Sequence, residues 1–220
     1  MGLGQPCGNR GGMDESDSAA ESLSRLPFEH PIPKSVRDHG MVVDPRVFQP
    51  GDLLLVSKRN KPWISAKIEA YQGKFFSPEH ACWHHAAVSG GRFEICEATV
   101  RGVRSCEYWK YMTGEYDLKV RRLKSAPAED RSLVAYYAAT NLRTPYSFLN
   151  ILNIVQVLSS GNSWSRPTPL SKGVICSQLY FEACMRVGYL LFNIRPEVVC
   201  PAHLSISSLM EDVPISWVKV

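Results

Sequence analysis

The segment from His84 to Val100 constrains the fold more than any other part of the chain. Two runs rich in apolar and small residues, 84–89 and 93–100, flank the pair Gly90-Gly91. Paired glycines between strand-forming runs mark a β-hairpin, because tight hairpin turns need positive φ at little steric cost. The segment is therefore expected to form two adjacent antiparallel strands. A two-residue turn at the glycines sets 84 across from 97, and a three-residue loop with a bulge sets 85 across from 97.

Other elements follow from periodicity and punctuation. DLLLV at 52–56 is a short apolar run between turn signals, expected as a buried strand. Residues 63–72 suit a helix, with Pro62 at its start and Gly73 after its last turn. Residues 101–106 and 118–123 read as further extended pieces. Ser125 is expected to cap a helix reaching about Leu142, with Pro127, Glu129 and Asp130 in the first turn. Ser147 is expected to cap a buried helix to about Leu158. A Ser/Pro loop spans 159–172, and a third helix runs from near Cys176 to Gly188 with Leu179, Ala183 and Val187 on its core stripe. ISWVKV reads as a last strand. Strands gather early and helices late, so the expected class is α+β, an antiparallel sheet packed against helices.

Residues 1–25 are rich in Gly, Ser and acid and read as a flexible tail. Residues 26–44 read as an extended Pro-rich arm, and 45–220 as one domain. With 45% hydrophobic and 21% charged residues the chain can bury a core. A net charge of +4 is too mild to argue for nucleic acid. No run of eighteen apolar residues suggests an integral membrane segment. The first 25 residues lack the pattern of a secretory signal, so a cytoplasmic location is expected. Seven cysteines without a CxxC pair argue against a disulfide framework and for thiols kept reduced.

Three groups carry chemistry. Cys176, in GVICSQL, follows an apolar lead-in and stands where a helix begins, where unpaired N–H groups favour thiolate. WHHAAV at 83–88 opens a strand with His84 and His85, and a thiol nucleophile needs an imidazole within hydrogen-bond reach. Glu97, in ICEA on the return strand, can fix the tautomer of such an imidazole and stabilise its cation. Taken singly, each also has a structural reading: a packed thiol, ordinary histidines, an edge charge. His80, Cys82, His84 and His85 match no strong zinc spacing, and no metal is expected. The basic cluster Arg101, Arg104, Lys119, Arg121, Arg122 and Lys124 reads as a solvated face.

The order of these pieces resembles a known family. PGDLLLV (50–56), WHHAAV (83–88), ICEA (95–98), TPYSFL (144–149), VICSQLYFEA (174–183) and PAHLSISSL (201–209) are similar in order and rough spacing to the permuted, YiiX/YaeF-like branch of the NlpC superfamily of papain-like cysteine amidases. There the histidine strand precedes the cysteine helix. The resemblance implies a papain-like fold and a catalytic set of Cys176 as nucleophile, His85 as base (framed by Trp83 and Val88) and Glu97 as orienting residue. It implies Tyr146 at the substrate site, with His84 and Ser177 beside it, and no metal or organic cofactor. Gln178 departs from the family, whose members often have Glu there. The implied activity is hydrolysis of an amide through a thioester, on a cell-wall peptide or an N-acyl amino acid. A thiol-dependent acyltransferase of the lecithin:retinol acyltransferase type and a catalytically silent binding domain are the other two implied readings.

Overall fold

The computed structural model of the protein describes residues 32–91, 93–148, 150, 151, 154 and 173–220. In chain order the elements are α1 (Lys34–His39), β1 (Met41–Val43), β2 (Leu53–Lys58), α2 (Trp63–Gln72), α3 (Pro78–Ala81), β3 (His85–Gly91), β4 (Glu94–Thr99), β5 (Gly102–Glu107) and β6 (Tyr116–Leu123). There follow α4 (Ala128–Ala139), α5 (Cys176–Val187), α6 (Pro201–Ile206), β7 (Met210–Val213) and β8 (Trp217–Lys219). The fold is α+β. One antiparallel sheet has the strand order β5-β4-β3-β2-β6-β7, and β1 pairs with β8 in a second, two-stranded sheet. No helix among the described residues is long and apolar enough to cross a membrane.

The unbroken apolar run of β2 has a direct cause. Alternate side chains of a strand point to opposite faces, so continuous apolarity means that both faces are covered. Leu53 and Leu55 join Ala86 and Val88 in a core with Val134 and Ala138 of α4 and Leu179 and Ala183 of α5. Leu54 and Val56 face the other way, into a second core with Val36, Phe48, Tyr108 and Trp109. All of these side chains are buried. The central strands are thus clamped from both sides, which fixes where β3 begins and hence where His85 stands.

Several expectations need correction. In its described part, the segment 26–44 is not an extended arm. It forms α1 and β1, with Val36, Val42 and Val43 fully buried, and β1 pairs with β8 from the far end of the chain. Local reading of a proline-rich stretch cannot see such a partner. Ser125 does not cap a helix; it lies in the left-handed region at φ 55°, and α4 starts only at Ala128. Pro127 is the reason, since proline disfavours helical backbone in the residue before it. The hairpin turns later than the glycine pair, past Gly91, which pairs with Glu94. The register shifts between Ser89 and Gly91, and Val88 pairs with Cys96. Extending that pairing by one residue sets Ala87 across from Glu97, so neither expected register holds. The 1–25 tail, the arm up to residue 31, the 159–172 loop and most of the 147–158 helix lie outside the described residues. At the start of that helix Ser147 does cap, its Oγ accepting the Asn150 N–H at 3.1 Å.

Candidate active site

Cys176 is the first residue of α5, and the backbone delivering it is tightly held. Val174 forms a parallel bridge with Tyr146, through Val174 N–H to Pro145 O (3.0 Å) and Ser147 N–H to Val174 O (3.2 Å). Gly173 permits this approach, because a Cβ there would sit 2.7 Å from Pro145 O and 2.8 Å from Ser147 N. Ile175 is extended (φ −101°, ψ 166°), and the chain turns helical at the cysteine. The amides of the first turn have no partner within the helix, and the N–H groups of Ser177 and Ala86 both reach the Cys176 sulfur.

His85 opens β3, pairing with Val56. Its approach is fixed by Gln72, a buried side chain whose Nε2 donates to Ala81 O and Trp83 O, both at 2.8 Å. The His85 ring meets the Cys176 thiol on one side and Glu97 on the other. Nε2 lies 2.9 Å from Glu97 Oε2, which leaves Nδ1 for the sulfur. Glu97 reaches His85 from a diagonal position, the distance a long side chain spans between neighbouring strands.

Glu97 is fully buried and has five partners among the described residues. Oε2 accepts from His85 and from the Tyr111 hydroxyl at 2.6 Å. Oε1 accepts from Arg104 Nε at 3.1 Å, Cys106 Sγ at 3.4 Å and Lys110 Nζ. Burial opposes its charge, but the hydrogen bond and charge of His85 and those of Lys110 outweigh burial and hold the carboxyl far below the usual range. At His85 burial likewise favours the neutral ring, and the charge and hydrogen bond of Cys176, then those of Glu97, outweigh it and push the pKa up to about 9. At Cys176 burial opposes ionisation, while the His85 cation, its hydrogen bond and the two backbone N–H groups bring the thiol below its ordinary value. The arrangement favours a thiolate–imidazolium pair.

The other expected residues divide. Tyr146 stands close enough that the charge on Cys176 adds to burial in raising its phenol well above the ordinary range. His84 points elsewhere: its Nε2 accepts the Lys58 N–H at 2.7 Å, and burial, with the neighbouring His85 charge, lowers it to about 4. Of the two adjacent histidines, His85 is therefore the one on the thiol. The Ser177 hydroxyl is also committed, donating to Val199 O at 2.6 Å in a fully buried position. It is the Ser177 N–H, not its side chain, that faces the sulfur. Gln178 accepts from Asn150 (2.7 Å) and donates to Glu182 (2.7 Å), tying α5 to the 147–158 segment.

Tyr111 and Lys110 are the residues sequence reasoning missed. Their only signal is the run YWKY after β5, which carries no motif. Arg104 belonged to a cluster read as solvated, yet it bonds Glu97. From the same cluster Arg121 bonds Asp212 and the Leu204 carbonyl, and Arg122 bonds Asp52. Among the described residues no group of three or more His, Cys, Asp or Glu is arranged to hold a metal ion. Cys96, Cys106, Cys176, Cys184 and Cys200 are free thiols. Compared with known families and curated proteins, the chain matches no family model and no curated sequence.

Proposed function

We propose that the chain is a cysteine-dependent hydrolase that cleaves an amide bond through a thioester, built on a permuted papain-like domain. The observation that carries this reading is the contact of one imidazole with the Cys176 thiol on one nitrogen and a buried carboxylate on the other. A cation held beside a thiol at a helix start is what makes sulfur nucleophilic at neutral pH.

The steps follow from those positions. The Cys176 thiolate attacks the amide carbonyl carbon. The Cys176 N–H and the Tyr146 hydroxyl donate to the oxyanion, and such a donor is worth about 3 to 4 kcal/mol. The His85 imidazolium gives its proton to the leaving amine as the C–N bond breaks. Neutral His85 then takes a proton from water, which attacks the thioester and releases the acid. Glu97 keeps Nε2 protonated throughout and balances the ring when it is charged. The substrate is an amide-containing small peptide or N-acyl amino acid. An acyltransferase would share the thioester and differ only in the acceptor.

The test is a panel of cell-wall peptide amides and N-acyl amino acids, with amine release and the mass of Cys176 followed together. The expected result is turnover by the wild type, an acyl adduct on Cys176, and loss of both in Cys176→Ala with the fold intact. His85→Ala is expected to cost nearly as much, because residues acting as one unit are not additive. Full activity of Cys176→Ala on any substrate the wild type turns over overturns the reading. Transfer of the acyl group to an added amine or lipid in preference to water favours the acyltransferase.

A further inference from the structure

The carboxylate behind His85 is held by more than the imidazole needs, and one of its partners differs in kind from the rest. Arg104 and Lys110 approach Oε1 on long side chains that remain 41% and 31% exposed. Cys106 adds a weak thiol donor to the same oxygen. Oε2, the oxygen that faces His85, is shared among the described residues with one further group, the Tyr111 hydroxyl at 2.6 Å. Tyr111 is 6% exposed and closes the short helical turn Tyr108–Tyr111 after β5. Its ring lies edge-on to Tyr116 at 5.2 Å and tilted against the His85 ring at 6.0 Å between centroids. Burial, and then the Glu97 charge, keep the phenol protonated, so it is a donor.

We propose that Tyr111 is a positioning residue, whose hydroxyl fixes the Glu97 oxygen that holds the His85 ring toward Cys176. The inference rests on the cysteine-hydrolase reading of this site. Tyr111 touches no reacting atom and acts through Glu97. A buried phenol with two torsions is a stiffer donor than an arginine or lysine reaching in from solvent. By sharing Oε2 it also limits how much of the carboxylate charge reaches His85. The titratable and charged groups facing the Glu97–His85 pair are His84 just before β3, Cys96 from β4, Arg104 and Cys106 from β5, Lys110 and Tyr111 from the turn after it, and Cys176 from α5.

The experiment is the pH dependence of Cys176 alkylation by iodoacetate in the full chain. The reagent's carboxylate is drawn to the imidazolium, so the rate falls through the limb where His85 loses its proton. In Tyr111→Phe the Oε2 charge is no longer shared with a phenol, so the His85 cation is electrostatically more stabilised although the carboxylate loses a fixing donor, and that limb is expected to rise by about half a pH unit. Placing 3-fluorotyrosine at position 111, a more acidic phenol of nearly the same shape, is expected to lower it. The fluorinated protein decides alone if the phenylalanine variant does not fold. A limb that stays in place in both proteins, or moves the same way in both, makes Tyr111 mere packing and overturns the inference. A wild-type limb at or below the pH of an ordinary imidazole instead overturns the cysteine–histidine reading, and the inference falls with it.

Discussion

Glu97 shows how a single residue can set the state of two others. The chain has a second Cys–His contact, Cys200 Sγ to His203 Nδ1 at 3.0 Å, and its groups go the opposite way. Burial pushes Cys200 up to about 12 and His203 down to about 4, so that pair is neutral. His203 meets the rings of Phe76 and Phe192 where His85 meets a carboxylate. Proximity of sulfur and imidazole is therefore insufficient, and the carboxylate behind the ring is one feature that separates the two pairs. Removing that anion leaves His85, Arg104 and Lys110 crowded around a neutral amide. Glu97→Gln is expected to destabilise the fold by about 3 kcal/mol, the usual cost of breaking a buried ion pair from one side. It is also expected to lower turnover by less than Cys176→Ala does. Chemical denaturation and a kinetic assay read the two effects separately. An unchanged denaturation midpoint would show that the cluster carries no net stabilisation.

Among the elements, the run-in to α5 matters most for the site. Residues 173–175 lie against 145–147, so Tyr146 and Cys176 are positioned as one unit. The three atoms nearest to a Cβ at Gly173, Pro145 O, Ser147 N and Tyr146 C, are all backbone at 2.7 to 2.8 Å, and backbone does not yield as a side-chain tip does. Gly173→Ala is expected to cost about 1–3 kcal/mol, the usual range for overpacking, and to raise KM by moving Tyr146 off the thiol. Thermal unfolding and steady-state kinetics check this, and a variant with wild-type Tm and KM would contradict it. Much at this scale was legible in the sequence. Gly188 ends α5 in the left-handed region at φ 100°, and Glu129 and Asp130 lie in the first turn of α4. Pro62 and Gly73 bracket α2. Local signals succeed where the cause is local. They failed at Ser125, where Pro127 overrides the cap, and at the hairpin, where a bulge between Ser89 and Gly91 moves the turn.

For the molecule as a whole, what was hidden is what pairs distant segments. Strands β7 and β8, from the last eleven residues, add to β6 and β1, and nothing near Met210 announces a strand. The candidate triad was legible by residue type and order, and its outer partners Tyr111 and Lys110 were not, because a supporting donor carries no spacing rule. The fold also carries a pH signature. His84 and His203 each lie near 4 in the folded protein, chiefly through burial, against about 6.5 in an unfolded chain. Both folded values are depressed, so their contribution is present above about pH 6.5 and is lost as the pH falls toward 4. Thermal unfolding is expected to show a Tm lower at pH 5 than at pH 7, with a shallower fall in His203→Asn. Equal Tm at the two pH values would rule out neutral burial of these rings.

The central claim is that Cys176, although only 6% exposed, is ionised because His85 stands beside it as a cation. Its most direct measurement is the rate of Cys176 alkylation by neutral iodoacetamide in the folded chain as a function of pH, for wild type and His85→Ala. The account predicts reaction in the wild type well below about pH 8.5, where a free thiol titrates, and return to ordinary thiol behaviour in the variant. A wild-type sulfur that stays inert, or that titrates like a free thiol with or without His85, would contradict it.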